Sequence, residues 1–391
     1  MNVFYLMLAR SSWHSPFATS SRRLLLAGAR ACVLLFLSGL FSTPATAADP
    51  TADQQYWLEL INRMRRDPEG ELARLVHFSS PGVWAATKSD DPTVQFALDY
   101  YGTSAAVLQT QWNSLNAAPP LAWSSPLSDS AISYSNLMVQ MNQQSHTLDG
   151  KSLSQRIIDG GYTTQFLEVG ESLFAHTQNV FHGHSAFAID WGDDDNNSGN
   201  GFGTGIQTPA LHREAMMDRL FKEIGIGFQS TVIPPGNVNS PGPLVATHHF
   251  GSQYRYTGSQ YVSDTIVTGV VHTDDILADA FYTPGEGLAS VMIQVWDTFT
   301  STLITSGQTN SAGGFNLIAQ DLILGRTYAV RLQDGGAPDV LFTASATVED
   351  YGAPVTVYDN AYASFIIVPE PGTAFLSLLA CLLALPRRRT A

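Results

Sequence analysis

Cysteine is almost missing from this chain. Its two cysteines, Cys32 and Cys381, lie in the terminal segments. Nothing between them offers a disulfide or a thiol nucleophile. The middle of the chain must fold on core burial alone, and its length permits that. Acid is missing from residues 1–47, where Arg10, Arg22, Arg23 and Arg30 are the only charges. Base is scarce elsewhere: residues 48–371 hold 34 Asp plus Glu against 13 Lys plus Arg, a net −21. Such a surface repels nucleic acid and anionic lipid and attracts divalent cations. Two hydrolase signatures, G-x-S-x-G and H-E-x-x-H, are also absent.

The ends of the chain read as export signals. A mostly apolar stretch from Ala31 to Phe41 leads to Ala45-Thr46-Ala47, an A-x-A cleavage pattern. Residues 1–47 are therefore expected to be a secretory signal peptide, not a membrane anchor, because the apolar run is short. Ser21-Arg22-Arg23-Leu24 leaves Sec and twin-arginine export both open. At the other end, Val368-Pro369-Glu370-Pro371 precedes an apolar run from Gly372 to Leu385, closed by Pro386-Arg387-Arg388-Arg389. The run is shorter than the roughly 20 residues of a full helical span, and its basic flank is expected to stay cytoplasmic. Motif, short span and arginine cluster, in this order, resemble the PEP-CTERM sorting signal of Gram-negative-type bacteria over residues 368–391. That resemblance implies an exosortase-type processing enzyme as a partner. It also implies transient inner-membrane anchoring through residues 372–386 and a final place in the cell envelope or extracellular matrix.

Between the ends, about 320 residues are enough for two domains, and the composition changes near residue 257. Before it, amphipathic helices dominate. Trp57, Leu60, Ile61 and Met64 recur at helical spacing, and Asp67-Pro68 ends that helix and caps the next. Residues 80–118 show no clear pattern and are expected to be an irregular insertion with short helices. Ser125-Pro126 opens a helix, Ser152-x-x-Gln155 resembles a capping box, and Val180 to Ile189 reads as another helix. Thr208-Pro209 is expected to cap the helix that carries His212. Ile224 to Phe228 and Leu244 to Phe250 read as strands. Helices mixed with a few antiparallel strands predict an α+β layered domain over residues 50–256. After it, short strands begin at Val267, Val291, Gly314 and Tyr328. They predict a small all-β sandwich over residues 264–350.

Three residues of the first domain carry the most chemistry. His146 closes an amphipathic run, Glu171 lies in Gly170-Glu171-Ser172, and His212 opens Leu211-His212-Arg213-Glu214. Two imidazoles and a carboxylate can hold a divalent ion or pass protons. His182 and His184 point in different directions on a helix. His248 and His249 face opposite sides of a strand, so at most one can reach a common cleft. Taken in order, Leu60-Ile61-Asn62-Arg63-x-Arg65, Pro120-Leu121-x-Trp123, His146, Gly170-Glu171-Ser172, His212-Arg213 and Glu223-Ile224-Gly225-Ile226-Gly227 resemble the CAP superfamily, or SCP-like extracellular domain. The resemblance covers residues 50–256 and implies an α-β-α sandwich. It also implies a central cleft of two His and two acids that binds zinc or another divalent ion in some members. By position His146, Glu171 and His212 match three members, and Asp190 is offered as the fourth. Asp190 is one methylene shorter than the family's Glu, and Ser172 replaces the commoner Asn.

The second domain carries acids separated by turns: Asp274, Asp275, Asp279 and Glu286, in a stretch that resembles calcium-associated turns of Cna-B- and SdrD-like surface sandwiches. Calcium is the ion such oxygens imply, and a solvated polar turn is the plain alternative. The run Asp193 to Asn197 is a further candidate, without the spacing of an EF-hand loop. Together these features predict an exported protein that binds an extracellular polysaccharide, lipid or protein ligand, with the sandwich as a spacer. A metal-dependent hydrolase using Glu171 or Asp190 as base, and a structural matrix component with an idle cleft, are the alternatives. The sequence favours binding over turnover.

Overall fold

The structure is a computed structural model that describes residues 6–10, 49–80, 85–194, 202–233 and 240–368. The Pro-Glu-Pro tail from Pro369 onward, most of residues 1–47 and the segment from Asp195 to Asn197 lie outside the described residues.

Local sequence explains most of the first helices. Helix α1 (Ala52–Arg66) starts at Thr51, whose hydroxyl accepts from the Gln54 N–H while the Gln54 side chain returns to the Thr51 N–H. Helix α2 (Pro68–Leu75) is capped by Asp67 with Pro68 at its first position. The insertion predicted to be irregular contains α3 (Pro92–Tyr101) and α4 (Ala105–Trp112), capped by Asp91 and Ser104. A short hairpin, β2 (His77–Phe78) with β3 (Thr87–Lys88), precedes them. Helices α5 (Ser125–Met141), α6 (Leu153–Asp159) and α7 (Val180–Ile189) stand where the periodicity puts them. Helix α8 (Leu211–Met217) starts after Ala210 without a side-chain cap, so Thr208-Pro209 precedes the helix rather than capping it.

These helices flank one sheet. Its strands are β1 (Leu6–Arg10), β4 (Ala122–Trp123), β5 (Phe166–Thr177), β6 (Glu223–Ser230) and β7 (Leu244–Gln253), in the order β1-β5-β7-β6-β4. Strand β1 falls inside the segment read as a signal peptide and pairs antiparallel with β5. Side chains alternate across a sheet, and this sheet has two distinct faces. Val169 packs with Leu153 and Ile157 of α6, while Leu173 and Val245 pack with Tyr134 and Met138 of α5. On the other face Phe174, Ala246, Phe250 and Ile226 join Trp57 of α1, Phe187 of α7 and Met216 of α8 in the largest core. The result is the expected α-β-α layering.

Gly225 and Gly227 set the closeness of α5. A Cβ at Gly225 would lie 2.0 Å from the Ser128 nitrogen, and one at Gly227 would lie 2.2 Å from the Ala131 carbonyl carbon.

The C-terminal half is all β. One sheet holds β10 (Thr265–His272) between β13 (Gly314–Ala319) and β18 (Ala361–Ile366). A second holds β12 (Thr302–Gln308), β11 (Met292–Asp297), β14 (Thr327–Leu332) and β15 (Val340–Thr343) in that order. Val267, Ile293, Val295, Phe315, Tyr328 and Phe365 form the core between them. A third sheet, β16 (Ala346–Asp350), β17 (Pro354–Tyr358), β9 (Tyr261–Ser263) and β8 (Arg255–Tyr256), packs Val355 and Val357 against Leu167 of the first domain. The predicted sandwich thus runs on to Ile366, past residue 350, because β18 pairs parallel with β10 from Val267↔Ala361 to His272↔Ile366.

The two halves meet through buried polar contacts. Asn360 Nδ2 donates to Pro120 O at 2.9 Å and to Lys222 O at 2.8 Å. Lys222 Nζ donates to the carbonyls of Ser263, Asp264 and Tyr358. The Tyr362 hydroxyl donates to Glu59 Oε2 at 2.5 Å, and the Arg66 guanidinium lies 3.9 Å from the centre of the Tyr362 ring.

Candidate functional site

Glu171 sits in the middle of β5, directly opposite His249 on β7. It is fully buried. A carboxylate so placed needs donors for both oxygens. His146 Nδ1 lies 2.6 Å from Oε1, His249 Nε2 lies 2.7 Å from Oε2, and Arg156 Nη1 donates to Oε2 as well. Burial pushes this carboxyl up, but the hydrogen bonds from His146 and His249 and the Arg156 charge outweigh it and hold it at about 2. Because the carboxylate only accepts, each of these ring nitrogens carries the proton that points at Glu171.

The loop bearing His146 is stapled in place. Helix α5 ends at Asn142 in the left-handed region. The Tyr134 hydroxyl donates to Ser145 O at 2.6 Å and accepts from the Leu148 N–H. Arg156 on α6 donates to His146 O at 2.7 Å, pairs with Asp149 and lies over the Tyr134 ring at 3.6 Å. Among Glu171 and its three partners, His146 is the most exposed, with its side chain at 10%.

His212 and Asp190 form a second pair. Asp190 closes α7 as its C-cap at φ 60°, a conformation that Asp tolerates better than most side chains. Its carboxylate takes His212 Nδ1 at 2.8 Å, the His212 N–H at 2.9 Å and Gln207 Nε2 at 2.9 Å. The His212 ring packs 5.3 Å from Phe187, which packs 4.7 Å from His248. His248 and His249 face opposite sides of β7, so the His212–Asp190 pair lies on the α1 and α7 side of the sheet. Glu171 lies on the α5 and α6 side.

The four predicted cleft residues therefore come together as two pairs with the sheet between them. Among the described residues no group of three or more His, Cys, Asp or Glu is arranged to hold a metal ion.

Of the His248-His249 pair, expected to send at most one ring to the cleft, His249 is the one that arrives, while Arg156 carries no signal in the sequence. Arg156 and His249 complete the Glu171 site. On the other face His184 Nε2 lies 2.9 Å from the buried Glu71, which also takes Arg63 at 2.5 Å. Burial raises the Glu71 carboxyl, yet those bonds bring it to about 2. His248 is fully buried, and neither ring nitrogen has a protein partner among the described residues. Burial first, then the neighbouring imidazoles of His184, His212 and His249, push its pKa well down. The signal in the sequence is the His248-His249 pair itself, whose period-2 split sends one ring to each face of the sheet.

The acids of the second domain hold up their own loop. Glu286 is buried, and its carboxylate accepts from the Ile276, Leu277 and Thr283 N–H groups. Asp274 accepts from the Asp279 and Ala280 N–H groups, Asp279 from the Phe281 N–H, and Asp275 from the Thr273 hydroxyl. The oxygens of Glu286, Asp274 and Asp279 cap backbone donors, as in Asx turns, and Asp275 takes a side-chain hydroxyl.

Comparison with known proteins agrees with this fold. The family model for CAP, the cysteine-rich secretory protein family, matches residues 58–231. No curated protein matches the chain. Among solved structures, an extracellular protein containing an SCP domain from Bacillus anthracis str. Ames aligns at 18% identity and TM-score 0.24. The alignment covers 37% of this chain and 36% of the other. An outer surface protein from Borrelia burgdorferi aligns at 19% identity and TM-score 0.25, covering 40% of this chain and 90% of that one. The chain thus spans about a third of the length of the first of these relatives. Over residues 58–231 the α/β half of the chain is a CAP-like domain, similar to the cysteine-rich secretory protein family and built without cysteine.

Proposed function

We propose that this is an exported envelope or matrix protein whose CAP-like domain binds an extracellular ligand around the His146 loop and does not turn it over. The observation that carries this reading is how heavily Glu171 is engaged. Oε1 takes His146, and Oε2 takes both His249 and Arg156. A general base must offer an acceptor site to the proton it removes, and this carboxylate gives most of its roughly four acceptor positions to the protein. Its role is to fix the His146 ring and the charge beneath it. Asp190 is engaged in the same way by His212 and Gln207. One ion held by all four residues is not part of this reading, since the pairs stand on opposite faces of the sheet. The motifs read at the two ends support that location.

The test uses the exported chain, residues 48–368, mixed with extracted extracellular matrix and with a broad peptide library. The expected result is co-sedimentation with matrix that weakens in His146→Ala, with the peptides left intact. Peptide cleavage that disappears in His146→Ala would overturn the binding reading in favour of the hydrolase. Co-sedimentation indifferent to His146→Ala would overturn the His146 loop as the contact.

A further inference from the structure

Helix α3, in the insertion between the hairpin β2–β3 and α4, exposes two large rings. Phe96 is 71% exposed and Tyr100 is 59% exposed. They sit one helical turn apart, their planes parallel within 17° and their centroids 6.2 Å apart. Tyr100 is braced from behind by Tyr101, edge-on at 5.0 Å, and by Phe202 at 5.3 Å. A second row runs beside the rings on the same helix. Gln95 Nε2 donates to Asp99 Oδ1 at 2.8 Å, and Lys88 lies 3.9 Å from the same oxygen. An aromatic row at positions 96 and 100 thus flanks a polar row at 95 and 99.

Neither ring belongs to the core beneath the helix. The core of α3 is made by Val94, Ala97 and Leu98, which point to the other side. Rings left in water on a braced, rigid surface mark a binding site, and the chemistry of this one selects its occupant. Each exposed ring offers an apolar face of the kind that stacks on the C–H face of a pyranose ring. An amide next to a carboxylate supplies the donor and acceptor pair that vicinal hydroxyls require. The net charge of −21 on residues 48–371 repels polyanions and favours a neutral polymer.

We infer that α3 is a sugar-binding platform on which Phe96 and Tyr100 stack against a neutral polysaccharide while Gln95 and Asp99 hydrogen-bond its hydroxyls. The platform lies apart from the His146 loop and does not depend on it.

The experiment is native affinity electrophoresis of the exported chain through gels containing dextran, a soluble β-glucan, a galactomannan or, as the anionic contrast, alginate. Retardation by at least one neutral polymer is expected, weakened about tenfold in Phe96→Ala and in Tyr100→Ala. Phe96→Trp should keep it, and His146→Ala should leave it unchanged. Thermal melting of the same variants checks folding, and these exposed positions should leave it in place. No retardation by any neutral polymer, or equal retardation of the alanine variants, would overturn the platform. So would retardation by alginate alone, or dimerisation of the wild type that Phe96→Ala abolishes.

Discussion

Arg156 ties together more of the site than either histidine does. It neutralises Glu171, pairs with Asp149 and holds the His146 carbonyl. Removing it strands a buried carboxylate, so Arg156→Ala is expected to cost about 3–5 kcal/mol in denaturant unfolding. A loss below about 1 kcal/mol would show that the ion pair does not hold the site. Proton linkage gives a second check. The folded values of Glu171 and Glu71, about 2 each, lie below the ordinary value near 4.5. Their contribution is complete above about pH 4.5 and disappears as pH falls toward 2. Glu171→Gln should flatten that acid limb in part, leaving the Glu71 share, in stability measured from pH 5 to pH 2. His248 works in the same direction for the opposite reason. It is held neutral in the fold and takes a proton when unfolded, so stability falls as pH drops below about 6.5. His248→Leu removes two buried ring nitrogens from an aromatic pocket of Trp57 and Phe187. It is expected to raise stability by about 1–3 kcal/mol and to flatten that limb, and a thermal melt that falls instead would refute this.

At the scale of elements, the contact between α5 and β6 depends on an absence of side chain. Gly225→Ala puts a Cβ into the backbone of Leu127 and Ser128. Neither partner can retreat, so the cost should reach about 3 kcal/mol or more, read as a lower melting temperature; an unchanged melt would mean that α5 slides freely. The stretch Glu223-Ile224-Gly225-Ile226-Gly227 was legible as a motif, but its physical cause lies in a helix that begins about a hundred residues earlier. Helices that open on a cap or a first-turn proline and carry one apolar stripe, such as α1 and α5, are readable for the opposite reason: their signal is local. Strand β5 was not, because both its faces are buried and no alternation marks it. That omission also hid the site. His146, Glu171, His212 and Asp190 are legible as candidate chemistry for one cleft, and their division into two pairs is not. Their separation across a sheet follows only from the register of Glu171 against His249.

At the scale of the molecule, the sandwich is not a detached spacer. Lys222, Asn360, Tyr362 and Glu59 join the halves through buried hydrogen bonds, and Leu167 packs on Val355 and Val357. Calorimetry of residues 48–368 should show one coincident transition, and residues 257–368 alone should melt at a lower temperature. Two well-separated transitions in the intact chain would mean that the junction carries little energy. Lys222→Met should move the halves toward that behaviour, since it leaves three carbonyls without their donor.

Strand β18 also sets a schedule. It is the last strand among the described residues, and it lies parallel to β10, the first long strand of the sandwich. It also carries Tyr362 to Glu59 in the first helix. A polypeptide synthesised from its N-terminus presents α1 and β10 long before their partner emerges. During that interval a fully buried glutamate and one edge of β10 face water. Completion waits for nearly the whole length to arrive, so the rate of delivery, and whatever shields the waiting edge, governs how much protein reaches its final form.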